Sequence, residues 1–376
     1  MIIAQKIRLY PTAEQVQKLW QSVGTARFIY NWTLARQEEN YQNGGKFISD
    51  NELRKELTQL KKAELAWLSD VSNNVAKQAV KDACLAYKRM FNGLAQKPRF
   101  KSRKWSKPSF YNDNVKLKVK IQSVLIEKVG WIKIKEQLPI EGKYTNPRIS
   151  HDGKYWYLCV GVEQEFEQPL LSNKSLGVDV GIKYLAVCSD GTVFKNINKS
   201  QTVRKLEKRL RRLQKQVSRK YEKNKKGSQF VKTENILKLE QQMKLLHRRL
   251  KNIRMNHLHQ ATNQMVKTKP SQVVMETLNI QGMMKNKHLA KAIQKQGLYE
   301  LKRQLVYKCQ KYGISFIAAD MWFPSSKQCS HCGVVKTQLS LSERTFDCEA
   351  CHFTIDRDLN AAINLSNYQF TSSLKR

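Results

Sequence analysis

Several features are missing from this chain of 376 residues, and each absence narrows what it can be. No run of 18 apolar residues occurs, so nothing reads as a membrane span. The opening MIIAQKIRLYPT has no apolar stretch like that of a secretion signal, so a cytosolic protein is expected. There is no internal repeat and no low-complexity tail. Acidic residues are scarce: 31 Asp and Glu stand against 68 Lys and Arg, for a formal net charge of +37. An excess this large repels itself unless a polyanion neutralises it. Nucleic acid is therefore the leading partner, ahead of a merely soluble basic surface, and neither a membrane nor a small-molecule substrate is expected.

What is present allows folded cores. Hydrophobic residues make up 41% of the chain, and its length suggests two or three domains. Ile2 to Tyr10 reads as a strand ended by Pro11. Thr12 with Gln15 forms a capping-box pattern ahead of Val16, Leu19, Trp20 and Val23 at helical spacing. A Gly-Gly break at 44–45 precedes two more amphipathic helices, one carrying Leu53, Leu57 and Leu60, the other starting at Ser72 and carrying Val75, Val80, Tyr87 and Phe91. Residues 11–95 thus form a helical module.

From Gln96 the chain turns basic and aromatic, then β-rich. Val115, Leu117, Val119 and Ile121 alternate, Trp131 to Ile134 follows, and Asp152-Gly153 closes a hairpin whose return strand carries Tyr155, Tyr157 and Cys159. A small barrel is expected from residues 1–10 and 96–170, with the helical module inserted into it. Residues 166–175 read as a linker, and 171–376 as an α/β domain. Within that domain, 201–268 forms a helical hairpin with an apolar seam (Leu206, Leu210, Leu213 and Val217 against Leu239, Met243, Leu246 and Leu250) and a basic outer face. A single helix is expected from Lys291 to Tyr312, then a strand over 314–320.

Four of the eight cysteines, Cys84, Cys159, Cys188 and Cys309, stand singly in apolar segments and read as reduced core residues. The other four form two Cys-x-x-Cys knuckles, Cys329/Cys332 and Cys348/Cys351. That spacing predicts one tetrahedral Zn²⁺ held by four thiolates in a ribbon over 323–354. With no open coordination position the site would be structural. A redox pair or disulfides are the competing readings, and His331 and His352 stand beside the knuckles as bystanders.

Three acids break apolar patterns. Asp179 interrupts the strand GVDVGI, Glu276 ends the strand VVMETL, and Asp358 opens the last helix beside Asp356 and Arg357. Burying an unpaired carboxylate is costly, so each needs a reason. Taken singly, Asp179 could form a turn, Glu276 could be a strand-end surface acid, and Asp358 could be a helix cap. Taken together, three carboxylates can hold two Mg²⁺ or Mn²⁺ ions roughly 4 Å apart, one activating water and the other stabilising the leaving 3′ oxygen of a phosphodiester.

GVDVGIKYLAV, METLNI, the two knuckles and DRDLNAAINL, together with KIRLYPTAEQ…GTARFIYNWTLAR at the start, resemble the TnpB (OrfB) proteins of insertion sequences, relatives of type V CRISPR effectors. The resemblance spans essentially the whole chain. It implies a multidomain α+β protein with an RNase H-like (RuvC) nuclease domain carrying an inserted zinc ribbon. The β-rich module would be a wedge domain and its helical insertion a recognition domain.

It also implies an RNA-guided endonuclease of a bacterial or archaeal cytoplasm, close to the nucleoid. Such an enzyme uses a guide RNA from the element's own end to cut complementary double-stranded DNA next to a short target-adjacent motif. Asp179 and Glu276 fall on the first two catalytic acids of the family, and the register D-x-N-A-A selects Asp358 over Asp356 as the third. Thr277 stands where the family often has Asp. No HNH motif is present, so one site would cut both strands in turn. Arg99, Lys101, Arg103, Lys104 and Lys107 are candidates for guide-RNA phosphates, with Trp105 and Phe110 for stacking. Arg54, Asn74 and Lys77 lie with Asp50 where the family reads target-adjacent DNA. A repressor without cleavage and a guide-independent transposase remain as rival readings.

Overall fold

The structure, a computed structural model, describes residues 1–368 except Trp105, Glu141 and Leu341. The chain divides into two compact units, Met1–Glu165 and Phe166–Arg376.

In the first unit, strand β1 (Ile2–Tyr10) buries Ile7 and Leu9 on one face. The expected capping box opens helix α1 (Ala13–Gln42): the Thr12 hydroxyl accepts from the Gln15 amide at 3.3 Å, and the Gln15 side chain accepts from the Thr12 amide at 3.0 Å. Ser49 and Glu52 repeat the device at α2 (Asp50–Lys62), and Ser72 caps α3 (Asn73–Phe91). The three helices share their own core, with Ile29, Leu53 and Val80 buried together with Leu68 of the turn between α2 and α3.

Six further strands follow: β2 (Ser109–Tyr111), β3 (Lys118–Lys120), β4 (Ser123–Ile126), β5 (Gly130–Ile134), β6 (Tyr144–His151) and β7 (Trp156–Glu163). They pair in the order β2-β6-β7-β1-β5-β4-β3. The sheet wraps one core, where Ile7, Phe110, Val124, Ile132, Ile149 and Leu158 meet Leu19 and Val23 of α1.

Three expectations need correction here. The order leaves β2 and β3, each three residues long, as edges, so the described strands do not close into a barrel. The alternation at 115–121 yields a strand only at 118–120, and Val115 and Ile121 are exposed. Cys159 is half-buried rather than core, because β7 buries Leu158 and Val160 on the opposite side.

The second unit is built on a five-stranded sheet. Its strands are β8 (Ser172–Val180), β9 (Tyr184–Cys188) and β10 (Val193–Lys195) and, after the hairpin, β13 (Pro270–Met275) and β14 (Ser315–Ala318). The order is β10-β9-β8-β13-β14. β8, β13 and β14 run parallel, and β9 and β10 are antiparallel additions.

The hairpin joins α4 (Gln201–Lys223) to α5 (Glu234–Lys267) through the two-residue strands β11 (Lys225–Lys226) and β12 (Gln229–Phe230). Val203, Leu206, Leu210 and Leu213 bury against Leu246 and Leu250, which is the predicted seam. Then come α6 (Ile280–Lys285), α7 (Lys287–Gln296) and α8 (Leu298–Lys311). The single helix expected over 291–312 is broken at Gly297, whose φ of 72° is left-handed and ends α7. After β14 come β15 (Thr345–Asp347) and β16 (Thr354–Asp356), which pair with each other, and then α9 (Arg357–Ser366).

Strand parity assigns the two faces of this sheet. Leu176, Val178, Val273 and Met275 point to α5 and α8, packing with Leu258, Met265, Leu301 and Leu305. Val274 faces the other way, against Leu365 of α9. Asp179 and Glu276 share the parity of Gly177 and Val274, so both side chains lie on the α9 face.

Candidate active site and cysteine cluster

β8 and β13 lie side by side with Met275 opposite Val178, which makes the next residues, Glu276 and Asp179, neighbours on one face. Glu276 Oε1 accepts from the Val180 amide at 3.1 Å, which fastens the end of one strand to the other. Asp179 pairs with Val187 within the β8–β9 ladder, so it is a strand residue and not a turn former.

Asp358 lies in the first turn of α9, and the cap there is Asp356, whose carboxylate accepts from the amides of Asp358 (2.9 Å) and Leu359 (3.1 Å). The capping alternative therefore belongs to Asp356 and leaves the Asp358 side chain for another use. Asp179, Glu276 and Asp358 are thus near enough for their charges to act on one another. Burial, then the charges of Glu276 and Asp358, push the Asp179 carboxyl well above its usual range. Burial raises Glu276 to about 7, against the Val180 hydrogen bond and with help from Asp358.

α9 can come this close because Gly177 has no side chain. A Cβ there would overlap the Ala362 carbonyl oxygen and the Ser366 amide nitrogen, both backbone atoms that cannot swing aside. Gly177→Ala is expected to push α9 away, destabilising the fold by about 1–3 kcal/mol. Denaturant unfolding measures the loss.

The two knuckles also converge. The four Sγ atoms of Cys329, Cys332, Cys348 and Cys351 lie within 4.8 Å of one another, with Cys329–Cys351 at 3.7 Å and Cys332–Cys348 at 3.5 Å. Four thiolates about 2.3 Å from one tetrahedral ion would sit at roughly this spacing, which is far longer than a disulfide. The amides of Cys351 and Ala350 hold the Cys348 thiol down to about 6, while, against the Phe353 amide, burial and the neighbouring sulfurs push Cys351 up to about 12; a metal would have to displace the protons the cluster retains. His331 stacks on Phe353 instead of joining the sulfurs.

Two residues not singled out by sequence reading tie this cluster to α9. Asn360, fully buried, accepts from the Ser330 amide at 2.9 Å and donates to Gln328 O at 2.7 Å. Asn364 donates to Ser325 O at 2.8 Å and Gln328 O at 2.6 Å. The segment that carries the first knuckle is thus clasped by the helix that carries Asp358. In sequence the two asparagines look like ordinary polar helix positions; their four-residue spacing, which puts them on one face, was the available signal.

The candidate nucleic-acid residues separate. Arg99, Arg103, Lys104, Lys107 and Lys77 are exposed. Lys101 is drawn inward: Asn31 pins its backbone with two hydrogen bonds of 2.7 and 2.9 Å, and its ammonium lies 3.6 Å from the Tyr30 ring centre. Arg54 pairs with Asp50 at 2.9 Å, and Asn74 donates to Glu127 at 3.0 Å. Phe110 is 3% exposed in the first unit's core, which corrects its assignment as a stacking residue. Trp105 lies outside the described residues.

Three family profiles match the chain: "Helix-turn-helix domain" over residues 1–46, "Probable transposase" of the OrfB type over 157–287, and "Cas12f1-like, TNB domain" over 299–365. In this chain the first of these segments is a strand followed by one 30-residue helix. The "Putative RNA-guided DNA endonuclease InsQ" of Escherichia coli K12 is 32% identical over 380 residues, covering 96% of this chain and 91% of that one. A "Putative RNA-guided DNA endonuclease" of Streptomyces pristinaespiralis is 32% identical over 369 residues, covering 96% and 88%. Among solved structures, a Cas12f1 in complex with sgRNA and target DNA superposes with a TM-score of 0.59 at 16% identity, over 94% of this chain and 82% of that one, which shows a shared multidomain α+β fold. Full-length likeness at this level of identity, together with the OrfB-type profiles, makes the chain a member of the TnpB (OrfB) family.

Proposed function

We propose that this protein is an RNA-guided DNA endonuclease that hydrolyses phosphodiesters at Asp179, Glu276 and Asp358. The observation that carries the reading is the convergence of these three acids on one face of the sheet, at the ends of two parallel strands and the start of α9. The order β10-β9-β8-β13-β14, with helices on both faces, supports an RNase H-like (RuvC) nuclease domain. The first unit then serves as wedge and recognition domains.

Clustered carboxylates with two raised by burial fit divalent cations, since hard oxygen donors suit Mg²⁺ or Mn²⁺. When bound, such ions supply an activated water and charge stabilisation at the leaving oxygen. The chain's own part is to hold Asp179 and Glu276 in register, through the Val180 amide and the strand ladder, and to present Asp358 from a helix whose first amides Asp356 already satisfies. The thiolate cluster fits a structural Zn²⁺. The +37 charge suits a guide RNA and target DNA, the partners in the names of the relatives. By family membership the guide comes from the element's own end, and the target lies beside a short adjacent motif.

The test is to purify the protein with its RNA, sequence that RNA, and present double-stranded DNA matching its variable end. Cleavage that requires both the RNA and Mg²⁺ is expected. Strand-transfer products formed without RNA would place the chain with transposases instead.

A pH dependence follows from Glu276. Its folded value, about 7, lies above its ordinary 4.5, so its protonated form is the one the metal-free fold prefers. That contribution to stability is present below the ordinary value and lost as the pH rises through 7. A cation must displace this proton. Asp179, also raised, must lose its proton too, so apparent Mg²⁺ affinity should climb as the pH rises toward and through 7. Calorimetric Mg²⁺ titrations between pH 6 and 8.5 check this, and a flat profile would count against Glu276 as a ligand.

A further inference from the structure

The turn that follows Asp179 and Val180 is capped to an unusual degree. Gly181 O and Tyr184 O both accept from Gln296 Nε2, at 2.9 and 3.1 Å. Ile182 O accepts from Asn196 Nδ2 at 2.7 Å, and Lys183 O from Lys199 Nζ at 3.3 Å. All three carbonyls of the β8–β9 turn, and that of Tyr184 at the start of β9, thus meet a side-chain donor, where a surface turn would leave most of them to water.

Gln296 does the largest share and is 4% exposed. It is the last residue of α7, placed there by the left-handed Gly297 that breaks α7 from α8. Its orientation is fixed on both sides. Only the amide nitrogen can face two carbonyls, and its Oε1 accepts from Asn198 Nδ2 at 3.3 Å. Asn198 in turn donates to Lys295 O at 3.2 Å and accepts from Arg254 Nε at 2.8 Å. Arg254 and Lys295 both pair with Glu207, at 2.7 and 2.5 Å. One buried amide therefore joins the turn to α4 and α5, the two helices of the basic hairpin.

We infer that Gln296 is a positioning residue for the nuclease site: by clamping both ends of the β8–β9 turn, it holds the end of β8 so that Asp179 and the Val180 amide meet Glu276. The inference rests on the endonuclease reading above. The clamp begins one residue beyond the Val180 amide that Glu276 accepts from, so slack in the turn passes directly into that bond. Gln296 touches no reacting group. Its effect is on the geometry of the acids, and small misplacements of catalytic groups are costly.

The test uses the full protein with its RNA. Gln296→Glu keeps the shape and removes both donors, and Asn198→Ala leaves Gln296 intact but frees its orientation. Three readouts are compared with the wild type: target binding, single-turnover cleavage, and amide hydrogen exchange of residues 180–185 in Mg²⁺-free protein. Gln296→Glu should bind target within about twofold and cleave at least about tenfold more slowly, within the range that misplaced groups show. Exchange should quicken at 180–185 while α4 and α5 stay protected, and Asn198→Ala should fall between.

Wild-type cleavage by Gln296→Glu would overturn the inference, whatever the exchange shows. So would a cleavage loss matched by lost target binding, or by general exchange across α4 and α5, since the role would then be structural only. A wild-type protein that does not cut with RNA and Mg²⁺ overturns the endonuclease reading itself, and the positioning role falls with it.

Discussion

Asp179→Asn should bind its RNA and matched DNA as the wild type does, yet cut at least about a thousandfold more slowly, because a neutral amide of the same size holds a divalent cation poorly. The same substitution should raise the melting temperature of Mg²⁺-free protein that retains its zinc. Burial and the charges of Glu276 and Asp358 hold the Asp179 carboxyl above its usual range, so its ionised form is disfavoured in the fold. The contribution of its protonated form is present below the unfolded value and lost as the pH rises through the folded one. The asparagine variant carries no such loss. The two proteins should melt alike near pH 4 and separate by a few degrees at pH 8. Equal melting at pH 8 would mean that the carboxylate is not held against its preference. Wild-type cutting by the variant would mean that the site is wrongly assigned.

The second large effect is expected at the cysteine cluster. Cys348→Ser removes one of four converging thiols and should abolish binding of the proposed structural Zn²⁺. The first knuckle would then no longer be held against the second, and the segment from Ser325 to Ser330 would lose its fixed course. The buried amides of Asn360 and Asn364 depend on that segment for their partners. Leaving buried amides unsatisfied costs about 1–3 kcal/mol each, so the start of α9 should loosen. Cleavage should drop about a hundredfold, as expected when a catalytic group is misplaced. RNA binding and the β8–β13 core should survive. Asn360→Ala, which keeps all four thiols, should lose cleavage in the same direction while retaining zinc. Full activity in zinc-free protein would show that α9 does not need the ribbon.

Where local chemistry decides, the sequence was readable. Thr12 with Gln15 starts a helix by reciprocal hydrogen bonds within four residues, and Asp152-Gly153 turns a hairpin without distant help. The apolar seam of α4 and α5 also follows from periodicity, as does the knuckle spacing. Legibility failed where a distant partner decides. Whether β7 buries Leu158 or Cys159 depends on which side the core lies, and Phe110 lost its expected stacking role for the same reason. Gly297 looks tolerable inside a helix until the backbone is seen to turn left-handed there. The three acids could be picked out because each violates a pattern. Gln296 could not, and Asn360 and Asn364 offered only their shared helix face, because polar residues on helices violate nothing until the backbone they serve is in place.

The central position of β1 shapes how the first unit is made. β1 pairs with β5 through Leu9 and Tyr10, and with β7 from Trp156 to Glu163. Both partners come more than a hundred residues later, whereas α1 follows at once. At 5–20 residues per second, a ribosome leaves β1 without its partners for on the order of ten seconds. An open strand of this kind invites pairing with other chains. α1 is the first neighbour to follow it, and Leu19 and Val23 share a core with Ile7 and Leu9 that Val71 and Val75 join later. Burial of this β1 face can therefore begin with α1, and substitutions on that face of α1 should lower soluble yield before they affect the finished protein.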